Sequence, residues 1–416
     1  MIGIGGIGMS AVARFYLSKG YDVSGSDNSE SDVTRGLEKA GAKIYIGADE
    51  KNIEEEVEKI IYTIAIPEDN AELVKAKELG ITLLSYPQSL AQITKDLKVI
   101  AVCGTHGKTT TTAMTYYALK DAGVNISMIV GSLIEVDGVK TNYVPSTGTG
   151  DEWMVIEACE YKRSFLNYDP DIVLVTNIDN DHMDYFKNEG DVKKAFGEFV
   201  GNIKAGGHLI VHKEEEYLDF KEKVLADAFD ISDIFLQVPG LHNRKNAQLV
   251  LALGKVLGLD MVSVRKGLQN FKGTWRRQEY KGEFFGNIFY DDYAHHPAEV
   301  KATLQAMKEK FADKQIVLLF QPHMLSRTKL FFNDFSTVLE NADKVMLLPI
   351  FRAREKEDPS IDSGMLVEDL KKKGKDATLI PSMDDAVDVF NSGSIHDSVV
   401  ITMGAGDIYK IYEKFK

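Results

Sequence analysis

The residues best placed to do chemistry are Gly104, Thr105, His106, Gly107, Lys108, Thr109 and Thr110, which follow the apolar run 99–103 and lead into a helix-like stretch at 113–119. Strand, glycine loop and helix start together predict a phosphate cradle. Glycines let backbone N–H groups turn toward phosphate oxygens, Lys108 brings a mobile positive charge, and the Thr109 hydroxyl suits a magnesium ion. ATP is the expected nucleotide. Val102 stands where the general phosphate-loop pattern has its first glycine, and the competing reading is a structural turn with an ordinary helix cap. A second glycine loop, with Gly3, Gly5, Gly6 and Gly8, opens the chain and precedes a helical stretch over 9–19. Asp27 falls about twenty residues beyond it, where a carboxylate accepts hydrogen bonds from a ribose, so a nucleoside diphosphate fits. A tight structural turn is the alternative. Only Met1 and Ile2 precede this loop; a buried first strand ordinarily needs about five residues, so the chain is expected to lack part of its natural start.

Three further groups stand out. Glu157 ends the apolar run 153–157, and His182 sits in the polar segment 177–184; both are suited to share a divalent cation with Thr109 and nucleotide phosphates. Imidazole is an unusual magnesium ligand, and a helix cap for the carboxylate and a structural role for the histidine compete with that reading. Asn243 and Asn246 lie three apart at a helix start. Amides there can read an adenine edge or serve as plain caps, and spacing by itself favours caps. Asp291, Asp292, Tyr293, His295 and His296 crowd one turn between a strand at 287–290 and a helix at 298–311, which predicts a functional turn. Arg327, expected to end another strand, can neutralise a carboxylate or a developing phosphate charge.

The elements that must hold these residues alternate between strand-like apolar runs and amphipathic helical stretches. That rhythm predicts an α/β chain of largely parallel sheets covered by helices. Strands are expected at 153–157, 171–177, 315–321, 344–349 and 398–402, with polar residues gathered at their carboxyl ends, where ligands bind in such sheets. Three blocks emerge, at 1–94, 95–273 and 274–416. A chain of 416 residues with 44% hydrophobic and 27% charged residues suits a multidomain globular protein. Its net charge of −14 argues against a nucleic-acid face. No apolar run approaches the ~18 residues of a spanning helix, so no membrane role is expected. Met1 runs straight into a glycine loop, leaving no room for a cleavable leader, and the expected compartment is the cytoplasm. Cys103 and Cys159 both sit in apolar segments and are expected as buried free thiols.

Laid end to end, the motifs GIGGIGMS with SGSD, GTHGKTTTT, EACEYKRSF, TNIDNDHMDYF, GLHNRKNA, DDYAHHPAEV and FQPHMLSRT resemble the ATP-dependent Mur ligases of bacterial cell-wall synthesis, in that family's order and over nearly the whole chain. The resemblance implies three domains: a Rossmann-like N-terminal domain for a UDP-sugar, a central phosphate-loop ATPase domain, and a Rossmann-like C-terminal domain for an amino acid. It implies that ATP phosphorylates the lactyl carboxylate of UDP-N-acetylmuramate, that the amine of L-alanine attacks the acyl phosphate, and that the third domain closes on the other two. It assigns the 104–110 loop and Lys108 to ATP phosphates, Thr109, Glu157 and His182 to magnesium, and Asn243 and Asn246 to adenine. Gly5, Gly6, Gly8 and Asp27 fall to the UDP portion, and Tyr293, His295 and Arg327 to the amino-acid and acyl-phosphate site, with Lys108, His182, His295 and Arg327 as the catalytic set. Many relatives carry Arg where this chain has Met324, with Arg352 or Arg354 as substitute cations. Thr63 to Ile66 match the family's small-hydroxyl loop only loosely, and neither Lys193 nor Lys194 sits in a motif that marks a carbamylated lysine. Two other readings stay open: a ligase taking a preformed tripeptide, and, from another class, a nicotinamide-binding oxidoreductase. A monomer or homodimer is expected.

Overall fold

The computed structural model describes residues 1–54, 56–179, 185–353 and 355–415. The chain forms two compact units, Met1–Leu236 with Arg244–Lys272, and Gln237–Asn243 with Gly273–Lys416.

The first unit begins with helix α1 (Ile7–Ser18), strand β1 (Ser24–Asp27), α2 (Asp32–Lys39), β2 (Lys43–Ile46), β3 (Lys59–Tyr62), α3 (Ala71–Glu78), β4 (Thr82–Ser85) and α4 (Tyr86–Thr94). Parallel pairs β1–β2 and β3–β4 flank Ile2, which bridges to Ser26 on one side and Tyr62 on the other. The two residues before the glycine loop therefore do the work of a central strand: Ile2 N–H donates to Ile61 and Ser26 N–H to Met1. Ser31 and Thr34 close a capping box at the start of α2, and Gln88 accepts from the Ser85 N–H to start α4.

A larger sheet follows, built from β5 (Lys98–Cys103), α5 (Lys108–Asp121), β6 (Ile126–Val136), β7 (Val139–Val144), β8 (Trp153–Glu157), β9 (Ile172–Val175), α6 (Glu189–Val200), β10 (His208–Val211), β11 (Lys223–Leu225), α7 (Leu241–Val256) and α8 (Met261–Asn270). Its order is β11-β10-β9-β5-β8-β6-β7, parallel except for the β6–β7 hairpin. Every residue of β9 is buried. Each such Val, Ile or Leu contributes about 1.5–3 kcal/mol relative to exposure, which explains why these strands read as unbroken apolar runs. Strand β5 lies between β8 and β9, so later strands depart to both sides of it. That makes its carboxyl end a topological switch point.

The second unit holds β12 (Glu279–Phe284), β13 (Asn287–Asp292), α9 (Pro297–Lys310), β14 (Gln315–Phe320), α10 (Leu325–Leu330), α11 (Phe332–Leu339), β15 (Lys344–Leu347), α12 (Ser363–Lys372), β16 (Asp376–Leu379), α13 (Met383–Asn391) and β17 (Ser398–Met403). Sheet order is β12-β13-β17-β14-β15-β16, parallel except at β12–β13. The carboxyl ends of β13, β17 and β14 are thus neighbours, and three loops that follow them meet at one edge.

Two expectations are corrected here. Cys103 is buried at the end of β5, but Cys159 is exposed in the turn after β8, between buried Ala158 and Glu160, where the chain has left the strand and one side chain faces outward. Arg327 does not end a strand; β14 stops at Phe320 and Arg327 rides on α10.

Candidate active site

At the switch point, Gly104 and Gly107 take φ of 134° and 85°, a region that favours glycine. Their lack of a side chain is also used: a Cβ on Gly107 would lie 2.9 Å from the Asn246 amide oxygen, and one on Gly104 would collide with the Thr176 hydroxyl. The loop is pinned from β9. Thr105 N–H donates to the Asn177 carbonyl at 2.9 Å, His106 N–H to the Asn177 side chain at 3.0 Å, and Asn177 Nδ2 to the His106 carbonyl at 2.9 Å. Thr109 and Thr110 open α5 and are buried.

Lys108 is not a free cation here. Its Nζ donates to the Gly104 carbonyl at 2.5 Å, the Thr105 carbonyl at 3.0 Å and both Glu160 oxygens at 3.2 and 3.0 Å. Burial pushes the ammonium down, but Glu160 outweighs it and holds the pKa above its ordinary value. An anion in this loop would compete with Glu160 for a lysine already aimed inward. Glu157 ends β8 opposite Val102 of β5, beside the same loop, with its carboxylate pressed on the backbone at Gly131. Thr109 and Glu157 supply hard oxygen donors of the kind that suit magnesium. His182 lies outside the described residues, and so does Arg354.

The opening loop has its own frame. Gly5 N–H donates to Asp27 Oδ2 at 2.9 Å, so the acid that ends β1 already ties down the glycine turn. Gly8 faces the Tyr86 ring, which a Cβ would meet at 2.8 Å, and Gly3 faces the Thr63 methyl. Gly6 is exposed. Asn142 of β7, fully buried, donates to the Ile7 carbonyl at 2.7 Å and to Ser10 Oγ at 2.8 Å, joining the central sheet to the first turn of α1.

Helix α7 carries both predicted amides. Asn246 packs on Gly107, while Asn243 donates from Nδ2 to the Pro239 carbonyl at 2.7 Å. Each carbamylation candidate makes an ordinary ion pair on α6, Lys193 with Glu189 and Lys194 with Glu198.

In the second unit, the turn after β13 is held by a buried ion pair. Arg276 Nε donates to Asp291 Oδ2 at 2.8 Å, and its other nitrogens reach the Gly404 and Gly406 carbonyls at 2.5 and 3.1 Å. The Tyr293 N–H donates to the Arg276 carbonyl at 2.7 Å, and the guanidinium lies 5.2 Å from the Tyr293 ring centre. Asp292 accepts from the Gln278 and Ala294 N–H groups, and burial lifts its pKa to about 6. His295 Nδ1 lies 3.0 Å from the Tyr293 carbonyl and 3.3 Å from Glu299, while Pro297 and His296 start α9. His323 stacks on Phe351 and neighbours His295. Burial, then His295 and Arg327, lower its pKa to about 4, so its neutral Nδ1 faces Arg327 Nη1 at 3.4 Å. Tyr293, His295 and Arg327 are thus brought to one edge. Met324 caps α10 with φ of 71°, a strained setting for a non-glycine residue. Arg352 is paired with Glu357 at 3.7 Å.

Three family models tile the chain: "Mur ligase family, catalytic domain" over residues 1–98, "Mur ligase middle domain" over 102–232, and "Mur ligase, glutamate ligase domain" over 276–406. The chain belongs to the Mur ligase family. This Mur ligase is 39% identical to the UDP-N-acetylmuramate–L-alanine ligase of Caldicellulosiruptor saccharolyticus, over 99% of this chain and 97% of that one. Among solved structures it is similar to the UDP-N-acetylmuramate–alanine ligase of Thermotoga maritima, with a TM-score of 0.83, 28% identity and coverage of 100% and 97%. A murein peptide ligase from Psychrobacter arcticus shares the fold, with a TM-score of 0.71, 22% identity and coverage of 99% and 96%. Among the described residues, no helix of this Mur ligase is long and apolar enough to cross a membrane.

Several residues of this Mur ligase escaped the sequence reading: Glu160, Asn177, Asn142, Arg276 and the Gly404–Gly406 loop. Gly404 and Gly406 directly follow an apolar strand, the same signal that marked the first two loops. Glu160 and Arg276 carried no local signal, since each is defined by a partner far along the chain.

Proposed function

We propose that this chain joins L-alanine to the lactyl carboxylate of UDP-N-acetylmuramate, with cleavage of ATP to ADP and phosphate through an acyl phosphate. The observation that carries this is the full-length match to ligases of that name, joined to a phosphate loop whose lysine is already desolvated and aimed inward. Residues 104–110 hold the ATP phosphates, and Lys108 exchanges Glu160 for them. Asn246, against Gly107, and Asn243 approach the adenine. Thr109, Glu157 and His182 hold magnesium, which when bound spreads the charge of the transferring phosphoryl group. Gly5, Gly6, Gly8 and Asp27 hold the UDP portion. Tyr293, His295 and Arg327 receive the amino acid and the acyl phosphate.

No enzyme nucleophile is needed. The carboxylate oxygen attacks the γ-phosphorus, ADP leaves, the amine attacks the carbonyl carbon and phosphate departs. The chain's work is positioning and charge neutralisation. Functional divisions at 1–94, 95–273 and 274–416 follow from this assignment, and nucleotide substrates place the reaction in the cytoplasm. The test is phosphate release from ATP and magnesium with UDP-N-acetylmuramate, comparing L-alanine, glycine, L-serine and an L-Ala-γ-D-Glu-diamino-acid tripeptide, with mass detection. Release that depends on L-alanine with the alanyl product supports the reading; turnover with the tripeptide alone replaces it.

A further inference from the structure

His212 follows β10 at its carboxyl end and is 1% exposed. Its Nε2 lies 3.1 Å from the Lys245 carbonyl. That oxygen only accepts, so Nε2 carries the proton and, in the neutral ring, Nδ1 presents a lone pair. This Nδ1 is buried with no hydrogen-bond partner. It faces Asp227 Oδ2 at 3.4 Å, beyond ordinary N–H···O length. Glu214, two residues on, adds a second carboxylate, and ligand atoms of His212, Glu214 and Asp227 all lie within 4.8 Å of one another. A lone pair confronting two carboxylates is a repulsive arrangement that a shared cation relieves.

We propose that His212, Glu214 and Asp227 form a site for a divalent transition-metal ion of the zinc type, apart from the all-oxygen donors Thr109 and Glu157. One imidazole and two carboxylates match the donor preference of Zn2+, and side-chain rotation of the two exposed carboxylates, by about 1 Å, draws donors now within 4.8 Å of one another to the ~2.0–2.2 Å of zinc ligation. Asp227 and Glu214 are 40% and 58% exposed, so water fills the remaining positions. The Lys245 ammonium, 2.5 Å from Glu214 Oε1, is the competing cation. It is tethered to one carboxylate at the solvent edge and does not reach the buried imidazole in the manner a metal would. The Nε2 bond to Lys245 fixes the ring's tautomer, as an outer-shell acceptor does for metal-bound histidine. It also links the site to the start of α7, one residue before Asn246.

The test uses chelator-treated full-length protein with excess Mg2+ and a non-hydrolysable ATP analogue, which fill any site at the phosphate loop. Zn2+ binding is measured by competition with a chromogenic chelator, and crystals soaked in Zn2+ are read by anomalous scattering at the zinc edge. One equivalent is expected, with its peak about 2.1 Å from His212 Nδ1. Asp227→Asn and Glu214→Gln, both at the surface, are each expected to weaken binding at least tenfold while melting like wild type. No binding, a peak on other residues, or a variant that binds as tightly as wild type would leave the histidine as one half of a simple imidazolium–carboxylate pair and overturn the proposal.

Discussion

Replacing Lys108 by Ala removes one charge from a pair whose side chains are 15% and 3% exposed, 3.0 Å apart. Breaking a buried pair from one side destabilises by about 3–5 kcal/mol, because the Glu160 carboxylate stays buried after its cation is gone. At roughly 2 °C per kcal/mol for a unit of this size, melting should fall on the order of 6–10 °C. Adding Glu160→Gln removes the negative charge that Lys108 had balanced, so Lys108→Ala/Glu160→Gln should recover part of that loss. Turnover should behave differently. Loss of one preorganised electrostatic partner lowers kcat about 10²–10³-fold or more, and the second substitution restores no cation for the phosphates. UDP-sugar binding, which we propose for the loop that Asp27 ties to Gly5, should be unchanged in both variants. Scanning fluorimetry, phosphate release and calorimetry with the UDP-sugar read these three quantities. A Lys108→Ala protein that melts like wild type would show that the pair holds nothing. A double variant that regains turnover would remove Lys108 from the phosphate site, and joint loss of UDP-sugar binding would refute the separation of the two loops.

Other consequences can be checked by unfolding and turnover measurements. Arg276→Met leaves the Asp291 carboxylate, which still accepts from Thr402 Oγ1, buried without its cation and should destabilise by about 3–5 kcal/mol in urea, whereas Arg276→Met/Asp291→Leu should recover at least half; equal loss in both would mean that the ion pair is not the cause. Burial raises the Glu215 carboxyl to about 7, so the folded state binds more protons than the unfolded one between pH 4.5 and 7 and stability falls as pH rises through that window. Wild type minus Glu215→Gln should therefore decline across the window and be flat above it; a flat difference throughout would contradict the buried-acid reading. His295→Ala should raise KM for L-alanine about tenfold or more with little change in UDP-sugar affinity, and an unchanged rate at limiting L-alanine would take that residue out of the site.

The chain's local chemistry fixed a good deal. Glycine-rich turns after apolar runs, the acid that ends β1, and polar residues at strand ends are dictated by backbone sterics and burial over a few neighbouring residues. The two glycine loops, the β13–α9 turn and the α/β class were therefore legible without coordinates. Boundaries mostly fell within one or two residues, as for Trp153–Glu157 and Gln315–Phe320. What remained hidden depends on which distant segments the sheets bring together. The strand order that sets Cys103 beside Val175 and Val102 beside Glu157 also delivers Glu160 to Lys108. Likewise, β17 between β13 and β14 carries the Gly404 carbonyl to Arg276. Exposure is of this second kind: Cys103 and Cys159 look alike in apolar context, yet one is covered by the sheet's neighbours and the other faces outward between two buried residues. Local pattern selects the elements, because helix, strand and turn energies are summed over near neighbours. Charge pairing, close backbone approach and burial belong to the tertiary structure, since each is an interaction between residues that only the folded topology makes adjacent.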